Sequence, residues 1–360
     1  MSISRRSFLA AGAAIAAAAC TRVESGQEPL MWRAPGEWEP HAATWQAFPG
    51  SRAIWGRDLT GVQEDVARIA NTIAAFEPVL MCINPVDVPR ARGLLSGEIT
   101  MVEIPVDDFW MRDTGPVFRV AGTATSAVGL NFNGWGEKQR HPHDASVAED
   151  IAAHLRVPFE RAGFVAEGGG IETDGSGNLM ATRSSILNRN RNPGRSQDEV
   201  TAEMLGVYGA TNLVWLPGVR GQDITDDHVD STSRFVAPGA VLVQEPLAER
   251  QDAFSSTARR QLQVLRSATT ADGDPFSVTT LPGPRRVRSN NPDFLDSYVN
   301  FAIVNGAVIM PEFGEARADT AAAEQIQALF KDREVVQINV DNIQDGGGGI
   351  HCATLSQPAI

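Results

Sequence analysis

The chain has 360 residues, 42% of them hydrophobic, which suffices for a sizeable core in one large domain or two small ones. Its 31 basic and 44 acidic residues leave a net charge of −13, and basic residues cluster only in short pairs such as Arg259-Arg260. That balance excludes nucleic acid as the main partner and favours neutral or cationic ligands.

Residues 1–30 read as an address and a tether, not as part of the fold. Ser4-Arg5-Arg6-Ser7-Phe8-Leu9 leads into an alanine-rich run to Ala19 that is too short and too weakly apolar for a membrane span. The arginine pair predicts a twin-arginine export signal and a periplasmic location. Ala17-Ala18-Ala19-Cys20 fits either a plain Ala-x-Ala cleavage site or a lipoprotein box, so membrane attachment is expected only through lipid on Cys20. Cys20, Cys82 and Cys352 cannot form a disulfide framework, and at least one is unpaired. Residues 31–360 contain no linker and read as a single domain.

In chain order, an incomplete unit comes first: a strand over Thr44–Phe48, a helix from Thr60 with Val62, Val66, Ile69 and Ile73 on one face, and a strand over Val79–Ile83. Pro116–Phe159 holds a second unit, with a helix following Asp144. Asn178–Trp215 holds a third, whose helix opens on the capping box Ser196–Glu199. A fourth has strands Phe235–Ala237 and Val241–Gln244 around Pro238-Gly239, a helix over Asp252–Leu265 and a strand over Ser277–Leu281. A fifth pairs Val299–Val304 with Ala307–Met310 across Asn305-Gly306, then runs through a helix from Asp319 to Phe330 into Val335–Val340. Strand, strand, helix, strand thus recurs. It predicts an α/β fold of five ββαβ modules around a pseudo-fivefold axis, a five-bladed propeller, with the last strand of the chain completing the first module. An open α/β sheet is the alternative, and the hairpins fit it poorly.

The residues that carry chemistry fall between modules, in Asp107–Asp113, Glu167–Gly170, Asp226–Asp230, Asp296–Asn300 and Gly346–Cys352. Equivalent junctions of a circular fold meet at one end of its axis. Gly346-Gly347-Gly348-Gly349 makes either a flexible surface loop or a backbone that something approaches closely. If Cys352 is a nucleophile, its neighbour His351 points to the other side of an extended segment, and His228 is the better partner. Asp230, on the same strand face as His228, would raise its basicity and favour an imidazolium that ionises a nearby thiol. Cys352, His228, Asp113 and Asp230 offer zinc-ligand chemistry, but none of them has zinc-site spacing, so no metal is expected. There is no nucleotide-binding glycine fingerprint either, and no organic cofactor is expected.

Taken in order, these motifs resemble the guanidine-modifying superfamily of pentein fold, most closely the agmatine deiminases and next the bacterial-type peptidylarginine deiminases. The resemblance runs from Glu37-Trp38-Glu39-Pro40-His41 through Trp110–Pro116, Asn131–Gly136, Glu167–Gly169, Leu187–Pro193, His228–Asp230 and Ser297–Phe301 to Gly347–Thr354. It implies a hydrolase that deiminates a guanidine without metal or cofactor. Asp113 and Asp230 then grip the guanidinium, His228 is general acid and base, Cys352 attacks to form a covalent thiouronium, and Glu167 orients His228 or the substrate. Trp110, Trp135 and Asn300 join the substrate-binding set. Glu137, in the loop after Asn131-Phe132-Asn133, is expected to attract an ammonium group, which favours agmatine over a C-terminal arginine peptide. Peptidylarginine deimination and amidino transfer are the alternatives, and a homo-oligomer is compatible with all three. Asp227 departs from the resemblance, because it stands where the family has glycine.

Overall fold

Short apolar strands cannot bury both faces by themselves, and here they are grouped into five small sheets, each with a helix between its second and third strands. The computed structural model describes residues 31–360, so the export signal, Cys20 and the tether lie outside the described residues. In β4 (Val117–Ala121), β5 (Ala124–Gly129) and β6 (Phe159–Arg161), the first two strands pair antiparallel and the third lies parallel to the second. The pattern recurs in β7 (Ile171–Thr173), β8 (Asn178–Thr182) and β9 (Asn212–Leu216). It recurs again in β10 (Ser233–Ala237), β11 (Ala240–Glu245) and β12 (Ser277–Pro282), and in β13 (Ala302–Val304), β14 (Ala307–Pro311) and β15 (Glu334–Ile338).

A tight turn suffices for the antiparallel step, whereas the parallel step needs a crossover. Gly239 and Gly306 make two of the turns at φ +65° and +79°, conformations that cost glycine little. The crossovers are α1 (Leu59–Ile73), α2 (Val147–Leu155), α3 (Gln197–Tyr208), α4 (Ala253–Ser267) and α5 (Ala316–Leu329). Val62, Val66, Ile69 and Ile73 of α1 are fully buried on one stripe, each contributing about 1.5–3 kcal/mol of apolar burial. Both bonds of the Ser196–Glu199 capping box form at α3, and Asp252 caps α4 through the Ser255 amide.

The incomplete first module is completed from the far end of the chain. β1 (His41–Ala47) lies parallel to β2 (Val79–Cys82), which lies parallel to β3 (Thr100–Val102), while β16 (Leu355–Pro358) runs antiparallel to β1. β3 is an addition that the sequence pattern did not signal. Neighbouring modules touch in order: β16 packs on β4, the turn Met111–Thr114 on the turn Gly168–Gly170, β10 on β7, and α5 on β12. The fifth module returns to the first where α1 meets β14, so the ring closes. The hairpin turns lie at one end of this ring. The segments entering β4, β7, β10, β13 and β16 lie at the other end, and they are the five junctions singled out above.

Candidate active site

The convergence of these junctions can be measured at Gly169. A methyl group there would sit 2.8 Å from His228 Nδ1, 2.9 Å from Asp113 Oδ1 and 3.1 Å from Asp230 Oδ2. Three modules therefore bring an imidazole and two carboxylates around one point, and only glycine fits between them. Cys352 reaches the same group from the end of the chain, with Sγ 3.5 Å from Asp230 Oδ2 and 3.3 Å from Asn300 Nδ2. Among the described residues, no hydrogen bond joins His228 to Cys352.

Each group is fixed by partners behind it. His228 Nε2 lies 3.2 Å from Glu167 Oε2, and Nδ1 lies 3.8 Å from Asp113 Oδ1. Arg191 in turn donates from Nε to Glu167 Oε1 at 2.9 Å and from Nη1 to Asp226 at 2.5 Å. Asp113 receives the Gly169 amide on Oδ1 and the Trp135 indole N–H on Oδ2, both at 2.9 Å. Burial alone would lower the pKa of His228, but the facing carboxylates of Asp113 and Glu167 raise it to about 9, so the imidazole is protonated at neutral pH. Burial likewise opposes ionisation of Glu167, yet the bonds from His228 and Arg191 hold it below the usual carboxylate range. Loss of water and the charges of Asp230 and Asp113 push the Cys352 thiol well above its ordinary value.

The structure corrects parts of the sequence reading. Val229–Ser231 is a 3-10 turn, not a strand, so Asp230 does not share a strand face with His228. Its Oδ2 instead faces His351 Nδ1 at 2.7 Å. His351 and Cys352 lie in a turn and not on an extended segment, and both reach Asp230 Oδ2, His351 Nδ1 at 2.7 Å and Cys352 Sγ at 3.5 Å. The glycine run is a close-approach segment, since a methyl on Gly348 would sit 2.3 Å from the Trp110 ring and one on Gly349 would sit 2.5 Å from Asn300 Oδ1. β13 starts at Ala302 and not at Val299, because Asn300 is drawn to the site: its Oδ1 accepts the His351 amide at 3.0 Å. Asp227 adopts the left-handed backbone itself, at φ +69°, with its carboxylate accepting the Val219 amide and its own amide bonded to Asp223.

Glu137 is exposed and does not line the cavity. Its neighbour Lys138 does line it, with Nζ 2.8 Å from Asp226 Oδ2 and 2.9 Å from the Ile224 carbonyl. Sequence reasoning also missed the floor of the site. Glu37 accepts from Arg112 at 3.0 Å, Arg234 at 2.9 Å and the Ile303 amide at 2.8 Å, while its Oε2 faces His351 Nε2 at 3.0 Å. Arg234 pairs further with Glu172 at 2.6 Å. The signal of this floor was the place of Glu37, Arg112 and His351 in motifs, which gives none of them a partner.

A cavity of about 800 Å³ opens over this group, with Trp110, Asp113, Trp135, His228, Asp230 and Cys352 in its wall. Two buried carboxylates suit a planar cation, and a thiol and a protonated imidazole in one cavity wall suit nucleophilic addition followed by proton donation to a leaving group. Fold and site together define a hydrolase of guanidino C–N bonds. The chain belongs to the Porphyromonas-type peptidyl-arginine deiminase family, whose model matches residues 33–358. It is 35% identical to an agmatine deiminase of Pseudomonas aeruginosa, over 91% of this chain and 96% of that protein. It is 33% identical to an agmatine deiminase of Medicago truncatula, again over 91% and 96%. Among solved structures, the agmatine deiminase of Enterococcus faecalis superimposes with a TM-score of 0.86 at 29% identity, covering 91% of this chain and 96% of that one.

Proposed function

We propose that the chain hydrolyses agmatine to N-carbamoylputrescine and ammonia. The observation that carries this reading is the meeting of Asp113, Asp230 and His228 around Gly169, with Cys352 against Asp230. Asp113 and Asp230 hold the two edges of the guanidinium. Its positive charge offsets the two carboxylates that disfavour the thiolate, so substrate binding lowers the pKa of Cys352 and its proton passes to solvent. The thiolate adds to the central carbon, and the His228 imidazolium gives its proton to the departing nitrogen, which leaves as ammonia. The remaining thiouronium is attacked by water, whose proton the now neutral His228 accepts. Collapse releases the ureido product and the thiolate. Glu167 and Arg191 keep His228 oriented, and Asn300 orients the sulfur. Ammonia release measured with agmatine, free arginine and a peptide ending in arginine tests the reading: agmatine is expected to have the highest kcat/KM, and a preference for the peptide would reject it.

We further propose that Arg5-Arg6 direct export of the folded chain to the periplasm. Export after folding suits an unpaired nucleophilic thiol, which reaches an oxidising compartment already enclosed. Replacing Arg5-Arg6 by Lys-Lys should retain the protein in the cytoplasm, and unchanged fractionation would refute the signal.

A further inference from the structure

The cavity is larger than the proposed substrate. At about 800 Å³ it lies in the upper part of the ~300–1,000 Å³ range of pockets that hold drug-sized ligands, several-fold more than a guanidinobutylamine fills. The excess lies beyond the guanidinium grip, between the segment from Gln244 into the first turn of α4 and the segment from Gly283 to Ser297.

Two kinds of side chain line this outer half. One is apolar, with Leu247, Phe254, Pro284, Val287 and Phe294. Phe254 is 38% exposed, unusual for a large aromatic side chain in this fold. The other is acidic. Asp223, Asp252 and Asp293 line the cavity and form no salt bridge among the described residues: Asp223 and Asp252 hydrogen-bond only neutral donors, and Arg250, whose charge acts on Asp252, is bonded to Asp296. Besides His228, the two basic side chains in the wall are both engaged, Lys138 by Asp226 and two carbonyls, Arg250 by Asp296 at 2.5 Å. Ser297, only 1% exposed, lines the same wall, and its hydroxyl has no protein partner, a group that a ligand would satisfy.

We infer that this outer half is a second subsite for an alkyl-segmented cationic tail, and that the chain also hydrolyses guanidino-polyamines longer than agmatine. The inference rests on the proposed deimination at Cys352. An anionic tail meets carboxylates without salt-bridge partners and no free cation, whereas methylene segments lie along Phe254 and Leu247 with an ammonium group placed between Asp252 and Asp293. The reaction is unchanged: one C–N bond breaks, water supplies the new C–O bond, and ammonia leaves.

The test uses agmatine, agmatine extended by an aminopropyl group on its amine, and N-succinylated agmatine. The extended cation is expected to exceed agmatine in kcat/KM by about fivefold, the scale of two exposed charge contacts, and the succinylated one to fall at least tenfold below it. In the Asp252→Asn, Asp293→Asn double variant the fivefold advantage should vanish while kcat/KM for agmatine stays within about twofold. Asn keeps the α4 cap, so loss of folding is not the expected effect. High salt should erode the same advantage in the native protein. An extended substrate tenfold worse than agmatine, or an advantage untouched by the double variant, would overturn this inference alone. A chain that turns over neither guanidine would overturn the proposed function with it.

Discussion

The floor and the rim of the cavity are built on opposite principles. Beneath Asp230, buried Arg234, Glu172 and His351 pair with the largely enclosed Glu37 and Arg112 across four modules. At the rim, Asp252, Phe254 and Asp293 are exposed and lack such partners. A buried charge without a partner is strongly destabilising, so the floor can exist only if every member is present and placed. The rim is under no such constraint. The floor therefore fixes the reaction and the rim is free to select the tail, which makes the two regions separable by substitution.

The largest effect belongs to the thiol. Cys352→Ala should lower kcat by about 10⁴-fold or more while agmatine still binds with near-native affinity by calorimetry, because the two carboxylates do not need the sulfur. Loss of binding together with turnover would place Cys352 in the grip instead. Next comes the floor. Glu37→Gln removes the charge shared by Arg112, Arg234 and His351 and should cost about 3–5 kcal/mol in denaturant unfolding. A change under 1 kcal/mol would show that the floor is not a coupled unit. In a folded His351→Asn variant, Asp230 loses its 2.7 Å partner, and kcat should fall more than KM rises.

The pH profile gives a sharper reading of the inner region. The pKa of His228 is raised to about 9, so the imidazolium is present below that pH and lost above it. kcat/KM should fall on the alkaline side with a midpoint near 9, and a midpoint near the ordinary histidine value would contradict the pairing with Asp113 and Glu167. The smallest effect is at Glu137, whose exposed side chain lies off the cavity. Glu137→Gln should leave kcat/KM for agmatine within about twofold, and a larger change would return this residue to the substrate.

The element order was legible because it depends on local signals: a 3.6-residue apolar stripe in α1, a capping box in α3 and an Asn-Gly turn between β13 and β14. The candidate residues were legible too, since Asp113, Glu167, His228, Asp230 and Cys352 stand in short motifs. Their partners were not. His351 facing Asp230 spans 121 residues and Glu37 facing His351 spans 314, and no local pattern encodes such pairs. Glu137 failed for a related reason. Trp135, Gly136 and Glu137 all take positive φ, so the loop turns as no extended or helical spacing would suggest and presents Lys138 to the cavity instead.

Mass spectrometry of the protein acid-quenched during turnover of agmatine tests the central claim most directly. The account predicts an alkylthiouronium adduct on the peptide containing Cys352 and none on Cys82, which is fully buried in the first sheet with its thiol pKa raised by that burial. An adduct on Cys82, or steady turnover with no adduct on Cys352 under conditions that trap the intermediate, would contradict it.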